Sequence, residues 1–148
     1  MNINTRFAVS IHILTLIELN NLRDIPNTSE NLALSVNTNP VVIRRMIAML
    51  KKAGLVEVKA GIGAAFLRRK PQDITWLDVF HAVNGDDNFV LFRKHENPNS
   101  SCYVGAYILN VLDGPLSIVQ KAMEDKLASF TLMDAIYPIA QKNNIDLR

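Results

Sequence analysis

A chain of 148 residues holds one compact domain with a modest extension. Its 49% hydrophobic and 20% charged residues exclude a disordered or fibrous polymer. The net charge of +2 conceals a division. Residues 1–70 carry ten Lys and Arg against four Asp and Glu, residues 71–148 six against ten, so a basic front half suited to a polyanion precedes an acidic back half.

Residues 4–20 read as a helix capped by Asn4 or Thr5. Phe7, Val9, Ile11, Ile13, Leu14, Leu16, Ile17 and Leu19 ring it almost completely. A helix without a polar face must be covered on more than one side, which points to a partner chain. The apolar run at residues 7–19 falls short of the roughly 18–20 residues that span a bilayer, and His12 and Glu18 interrupt it. With no basic leader or small-residue cleavage site at the start, a cytoplasmic address without membrane association is expected. His12 is read as an interior or interface histidine with a hydrogen-bond partner.

A loop leads to a short helix that starts after Thr28 or Ser29 and buries Leu32, Ala33 and Val36. The chain then restarts at residues 37–40, where Asn39 can cap and Pro40 suits the first helical position. The next helix gathers Ile43, Met46, Ile47 and Leu50 on one face. At about 100° per residue, Val41, Arg45, Ala48 and Lys52 lie opposite, with Arg44 and Lys51 on the flank. Gly54 is placed to stop this helix in a left-handed conformation. Residues 55–60 and 65–69 alternate as two strands about a turn at 61–63. Helix, short helix, basic helix and hairpin is the order of a winged helix-turn-helix, mainly α with a small β-hairpin wing.

Thr75 caps a predicted helix at residues 76–83. Residues 84–101 look like loop, with Asp86 and Asp87 marking a loop end rather than an acid–base pair. A long helix over 103–128 follows. Its stripe Leu112, Leu116, Val119, Met123 and Leu127 is the predicted dimerisation seam, since a soluble monomer rarely exposes such a patch. Gly114 and Pro115 predict a bend near residues 111–115. Residues 131–141 form a last short helix. The predicted division is therefore a winged helix-turn-helix domain at 1–83, a loop at 84–101 and a helical dimerisation region at 102–148.

Within that frame, Asn37, Thr38, Asn39 and Val41 stand nearest the base edges of double-stranded DNA, and Arg44 and Arg45 can serve phosphate or guanine. Lys52, Lys59 and Arg68 suit phosphate, and small Ala48 permits close approach to a groove. A merely solvated basic face is the bland alternative. Phe66 reads as wing-root packing, and Trp76 with the methionines at 46, 49, 123 and 133 as core or interface. Catalysis finds no support: no G-x-S-x-G, P-loop or H-E-x-x-H motif is present. His81 and His95 lack companions at ligand spacing, so no metal is expected. The function expected is a sequence-specific regulator of transcription, a repressor that binds an inverted repeat as a homodimer. The alternative from another class is a winged-helix protein-interaction module without DNA binding. A small molecule or an oxidant stands open as inducer.

Residues 50–56 (LKKAGLV), 61–67 (GIGAAFL) and 74–83 (ITWLDVFHAV), in this order and spacing, resemble the Rrf2 family of bacterial winged-helix regulators over nearly the whole chain. Residues 37–42 with 44–46, and 95–99 ahead of Cys102, add to the likeness. The resemblance implies paired C-terminal helices, a recognition helix in the major groove and a wing near the minor groove. Two departures stand out. The family's wing is richer in glycine and often preceded by arginine, whereas Lys59, Ala60, Ala64 and Ala65 occupy those places here. Cluster-bearing members use three cysteines in the loop and dimer-helix start. Cys102 matches the last, the other two are absent, and Gly105 stands where a histidine ligand can occur. One thiolate cannot supply four-cysteine ligation, so neither an iron–sulfur cluster nor another cofactor is expected. Cys102 is then either a passive small residue or a redox thiol whose pKa the helix start lowers.

Overall fold

The computed structural model describes residues 3–85 and 89–148. Its elements in order are α1 (Ile3–Leu22), α2 (Ser29–Val36), α3 (Pro40–Lys52), β1 (Val56–Val58), β2 (Ala65–Leu67), a 3-10 turn (Pro71–Asp73), α4 (Trp76–Asn84), α5 (Ile108–Ala128) and α6 (Met133–Lys142). The fold is mainly α with one antiparallel hairpin, as the residue pattern predicts. The loop end read at Asp86 and Asp87 lies outside the described residues. Since α1 already runs from Ile3, Asn4 and Thr5 lie inside it rather than at its cap.

The apolar ring around α1 is covered largely by the chain itself. α1 packs against α2, α3, α4, α6 and β2, and its Ile13, Leu14 and Ile17 are fully buried. Leu32, Ile43, Leu50, Val79 and Ile136 arrive from the surrounding helices to complete that core. Burying a side chain of this size is worth about 1.5–3 kcal/mol, so α1 is the axle of the body. α6 returns from the far end of the sequence to close one side of it.

That return is built from backbone hydrogen bonds. Trp76 N–H donates to the Phe130 carbonyl (3.0 Å), and Leu132 N–H donates to the Ile74 carbonyl (2.9 Å). Leu132, Ile136 and Ala140 are then buried with α1. Residues 132–140 thus share the core of residues 3–83, although the sequence pattern grouped them with the dimerisation region. Thr75 does cap α4: its hydroxyl accepts from Asp78 N–H (3.0 Å) while the Asp78 carboxylate accepts from Thr75 N–H (2.9 Å). Trp76 packs against Phe130 and Phe7, and Phe7 in turn meets Phe80 edge-on.

α5 is the exception to this compactness. It packs on α4 and holds no fully buried residue. Turns occupy residues 101–107, so the helix starts later than the sequence suggests, and Pro115 lies within one uninterrupted helix.

Candidate nucleic-acid interface

Short-range hydrogen bonds set the angle between α2 and α3. The Thr28 hydroxyl accepts from Asn31 N–H (3.2 Å) to start α2. Asn37 ends it at φ +59°, a left-handed conformation that asparagine tolerates, and Thr38 N–H donates to the Ala33 carbonyl (3.1 Å). Asn39 Oδ1 then accepts from Val41 N–H (2.8 Å), capping α3 directly before Pro40. Asn37 and Asn39 therefore shape the turn itself, a backbone task added to the base-edge role expected of them.

α3 turns Ile43, Met46, Ile47 and Leu50 into the core. Val41, Arg45, Ala48 and Lys52 remain exposed on the opposite face. Arg45 has no ion-pair partner among the described residues. Arg44 pairs with Glu30 of α2 at 2.7 Å, with both side chains more than half exposed. Such a pair is worth at most about 1 kcal/mol, so a phosphate can displace the carboxylate. Lys51 and Lys52 lie in the last turn, where the helix dipole favours cations, and so also steady the helix. Gly54 stops the chain with φ +76°.

The wing pairs Val56 with Leu67, Glu57 with Phe66 and Val58 with Ala65. Gly61 (φ +87°) and Gly63 (φ +67°) turn it, and Gly63 N–H donates to the Lys59 carbonyl (3.0 Å). Only glycine adopts such angles without strain. The tip therefore offers exposed Ile62 rather than a cation. Lys59 lies 4.3 Å over the Phe66 ring, which holds its ammonium along the wing root. Arg68 is exposed beyond β2. Arg69 is drawn away, pairing with Asp78 (3.3 Å) and donating to the Asp73 carbonyl.

Asn27 positions the wing, a role that no local spacing announces. Its backbone carbonyl accepts from Ala65 N–H (3.0 Å), and its buried amide donates to the Ile17 carbonyl (3.1 Å) and Asn21 Oδ1 (2.9 Å). Asn20 closes the set by donating to Asn27 Oδ1 (3.0 Å). One residue thus ties α1, the α2 entry and the wing together. Arg44, Ala48 and Lys51 face Gly63 across the resulting groove.

The Rrf2 family model, described as an iron-dependent transcriptional regulator, matches residues 3–138. The chain belongs to the Rrf2 family. It is 49% identical over 134 residues to YwnA of Bacillus subtilis (strain 168), whose name places it among HTH-type transcriptional regulators; the match covers 90% of this chain and 96% of YwnA. A crystal structure of a protein described as DNA binding superimposes with TM-score 0.70 at 44% identity, covering 88% of this chain and 98% of that one. CymR (YrzC), the global cysteine regulator of B. subtilis, shares the fold with TM-score 0.64 at 20% identity, over 93% of this chain and 97% of its own. The protein is thus a DNA-binding regulator of transcription with a winged-helix fold, not an enzyme. Among the described residues, no helix is long and apolar enough to cross a membrane.

The donors for iron do not fit in this Rrf2 regulator. Cys102 is its single cysteine, and among the described residues no three His, Cys, Asp or Glu side chains converge. His12 is exposed and hydrogen-bonded to the Ser35 hydroxyl (2.9 Å), not interior. Cys102 is exposed too, and backbone N–H groups of Gly105 and then Val104 hold its thiol below the usual range.

Residues 89–91 lie along part of the α5 stripe. Gln120 donates to the Phe89 carbonyl (2.6 Å) and accepts from Leu91 N–H (3.1 Å), pulling residues 89–91 onto one side of the helix. Leu112, Leu116, Met123 and Leu127 lie within about 80° of Gln120 and are half-buried on that inner side. Val119 is exposed at the border. The opposite side leaves Val111 (64%) and Ile118 (71%) in solvent, in line with exposed Val104 and Tyr107 from the preceding turns.

Proposed function

We propose that this Rrf2 regulator is a cytoplasmic homodimeric repressor of an inverted-repeat operator, with α3 in the major groove and the wing beside the minor groove. The outer face of α3 carries the reading. It combines an Arg45 with no ion pair among the described residues, a small Ala48, an apolar Val41 able to meet a thymine methyl and a capped N-terminus. Lys52, Lys59 and Arg68 supply phosphate contacts around it. The exposed row Val104, Tyr107, Val111 and Ile118, with Val119 at its edge, favours pairing of two α5 helices, since soluble monomers seldom keep such a row in water. A two-fold dimer presents its recognition helices to half-sites about one DNA turn, or a multiple, apart. Selection from random duplexes should enrich a two-fold symmetric motif, with binding that weakens steeply as salt rises. Loss of the protein should then raise transcription from a promoter that carries the motif. Failure to enrich any motif, or salt-independent binding, favours the protein-interaction module instead.

A second reading concerns the signal and rests on the exposed Cys102 thiol with its two N–H donors. Oxidant acting there would alter the segment that leads into α5. Cys102→Ser should keep DNA binding in the reduced state and lose any response to peroxide. An equal response in both proteins assigns the signal to another site.

A further inference from the structure

A cavity of about 1130 Å³ lies between the DNA-reading body and α5, slightly larger than the roughly 300–1,000 Å³ common for small-ligand sites. One wall is the body: Arg6 of α1, with Val83 and Asn84 at the end of α4. The other wall is Phe89 and Arg93 of the following segment, with Leu109 of α5. That second wall is strapped to α5, because Gln120 holds Phe89 and Leu91 while Lys94 pairs with Asp113. Leu109 lies on the same side of the helix as Gln120, away from Val111 and Ile118, so pairing through the outer row would leave the cavity to its own chain.

Among the described residues the lining is mostly cationic. There Arg6 and Arg93 have no ion-pair partner, and Glu96 is the one carboxylate. Val83, Phe89 and Leu109 supply apolar surface between these cations. Asn84, on the same wall, has both amide atoms buried with no hydrogen-bond partner among the described residues, a demand that proteins seldom leave unmet. We propose that this cavity is an effector site for a small organic anion, a carboxylate with an apolar body. The carboxylate pairs with Arg6 and Arg93, and the apolar body lies between Phe89, Val83 and Leu109. A ligand that touches both walls favours one setting of α5 against the body, and so changes the spacing of two recognition helices. The site stands on its own residues; its regulatory role rests on the DNA-binding reading above.

The test uses the full chain and two separate readouts. Methyl NMR of Val83 and Leu109 is followed during titration with benzoate, indole-3-acetate and decanoate, and with their neutral amides. At least one carboxylate should shift these methyls saturably below about 10 mM, with its amide roughly tenfold weaker or more. Arg6→Glu and Arg93→Glu, both at exposed positions, should each weaken that carboxylate by a similar factor. No shift with any carboxylate, equal binding of the amides, or indifference to both charge reversals overturns the site. In the second readout the bound carboxylate should change affinity for the selected operator, and operator should change affinity for the carboxylate by the same factor. Binding without that reciprocal change overturns the effector role. A bound carboxylate on a protein that selects no DNA motif instead overturns the regulator reading and leaves the site standing.

Discussion

Arg44 and Arg45 are neighbours in sequence, yet DNA makes different demands on them. Among the described residues Arg45 has no ion pair, so its guanidinium breaks none to reach DNA. Arg44 must first leave Glu30. Arg45→Ala should weaken operator binding by about 1–3 kcal/mol if it reads a base. Arg44→Ala should cost less, because its loss also removes the competing pair, and Glu30→Gln should tighten binding. Fluorescence anisotropy across a salt series separates these, and equal losses for both arginines would reject the distinction. Cys102 illustrates the same dependence on immediate surroundings. Donors from Gly105 and Val104 favour the thiolate, so its alkylation rate should rise at lower pH than that of a free thiol, ordinarily near 8.5. Gly105→Ala drives a Cβ into the Asn99 carbonyl; it should break the turn and move the iodoacetamide profile back toward higher pH. A profile that is the same in both proteins would remove the turn as its cause.

α5 has two apolar sides, and spacing alone does not say which of them pairs with a second chain. The Leu112-to-Leu127 spacing is regular, but Gln120 fastens residues 89–91 over that side and leaves Val111 and Ile118 as the outer row. Ile118→Asp should therefore yield monomers in sedimentation and abolish tight operator binding with them. Leu112→Ala should keep the dimer and lower thermal stability instead, because it leaves space in the packing of α5 on its own chain. Dimers that survive Ile118→Asp but not Leu112→Ala would restore the seam expected from spacing. α3, by contrast, has one apolar side and one basic one, and its orientation was unambiguous from the start.

At the level of the whole molecule, the wing depends on the core through Asn27. Removing that amide leaves the Asn20 amide and the Ile17 carbonyl without their partner in a buried place, a loss of about 1–3 kcal/mol. Asn27→Ala should lower thermal stability and also weaken operator binding beyond what the remaining folded fraction explains, because the wing loses its setting against α3. Denaturation and anisotropy on the same preparation check both halves. Unchanged affinity in the folded fraction would confine Asn27 to stability. The return of α6 matters at the same scale: it joins the chain's last elements to α1, so the body that carries α3 is completed only after α5 has been traversed.

What the sequence determined by itself was whatever local physics controls. The Asn39–Pro40 start, the one-sided pattern of α3, the glycines of the wing turn and the Thr75 cap each act within a few residues, and each is visible as residue type at fixed spacing. The fold class and the basic face of α3 follow from them. Tertiary structure decided what depends on distant neighbours. Spacing showed that α1 must be covered and not that α6 covers it; it showed a stripe on α5 and not which side residues 89–91 occupy. Arg44 with Glu30 and Asn27 with Ile17 are pairings across folded chain, and composition carries no trace of them. The reason is physical: periodicity records that a side chain leaves water, while the identity of what it meets is set only when separate segments pack.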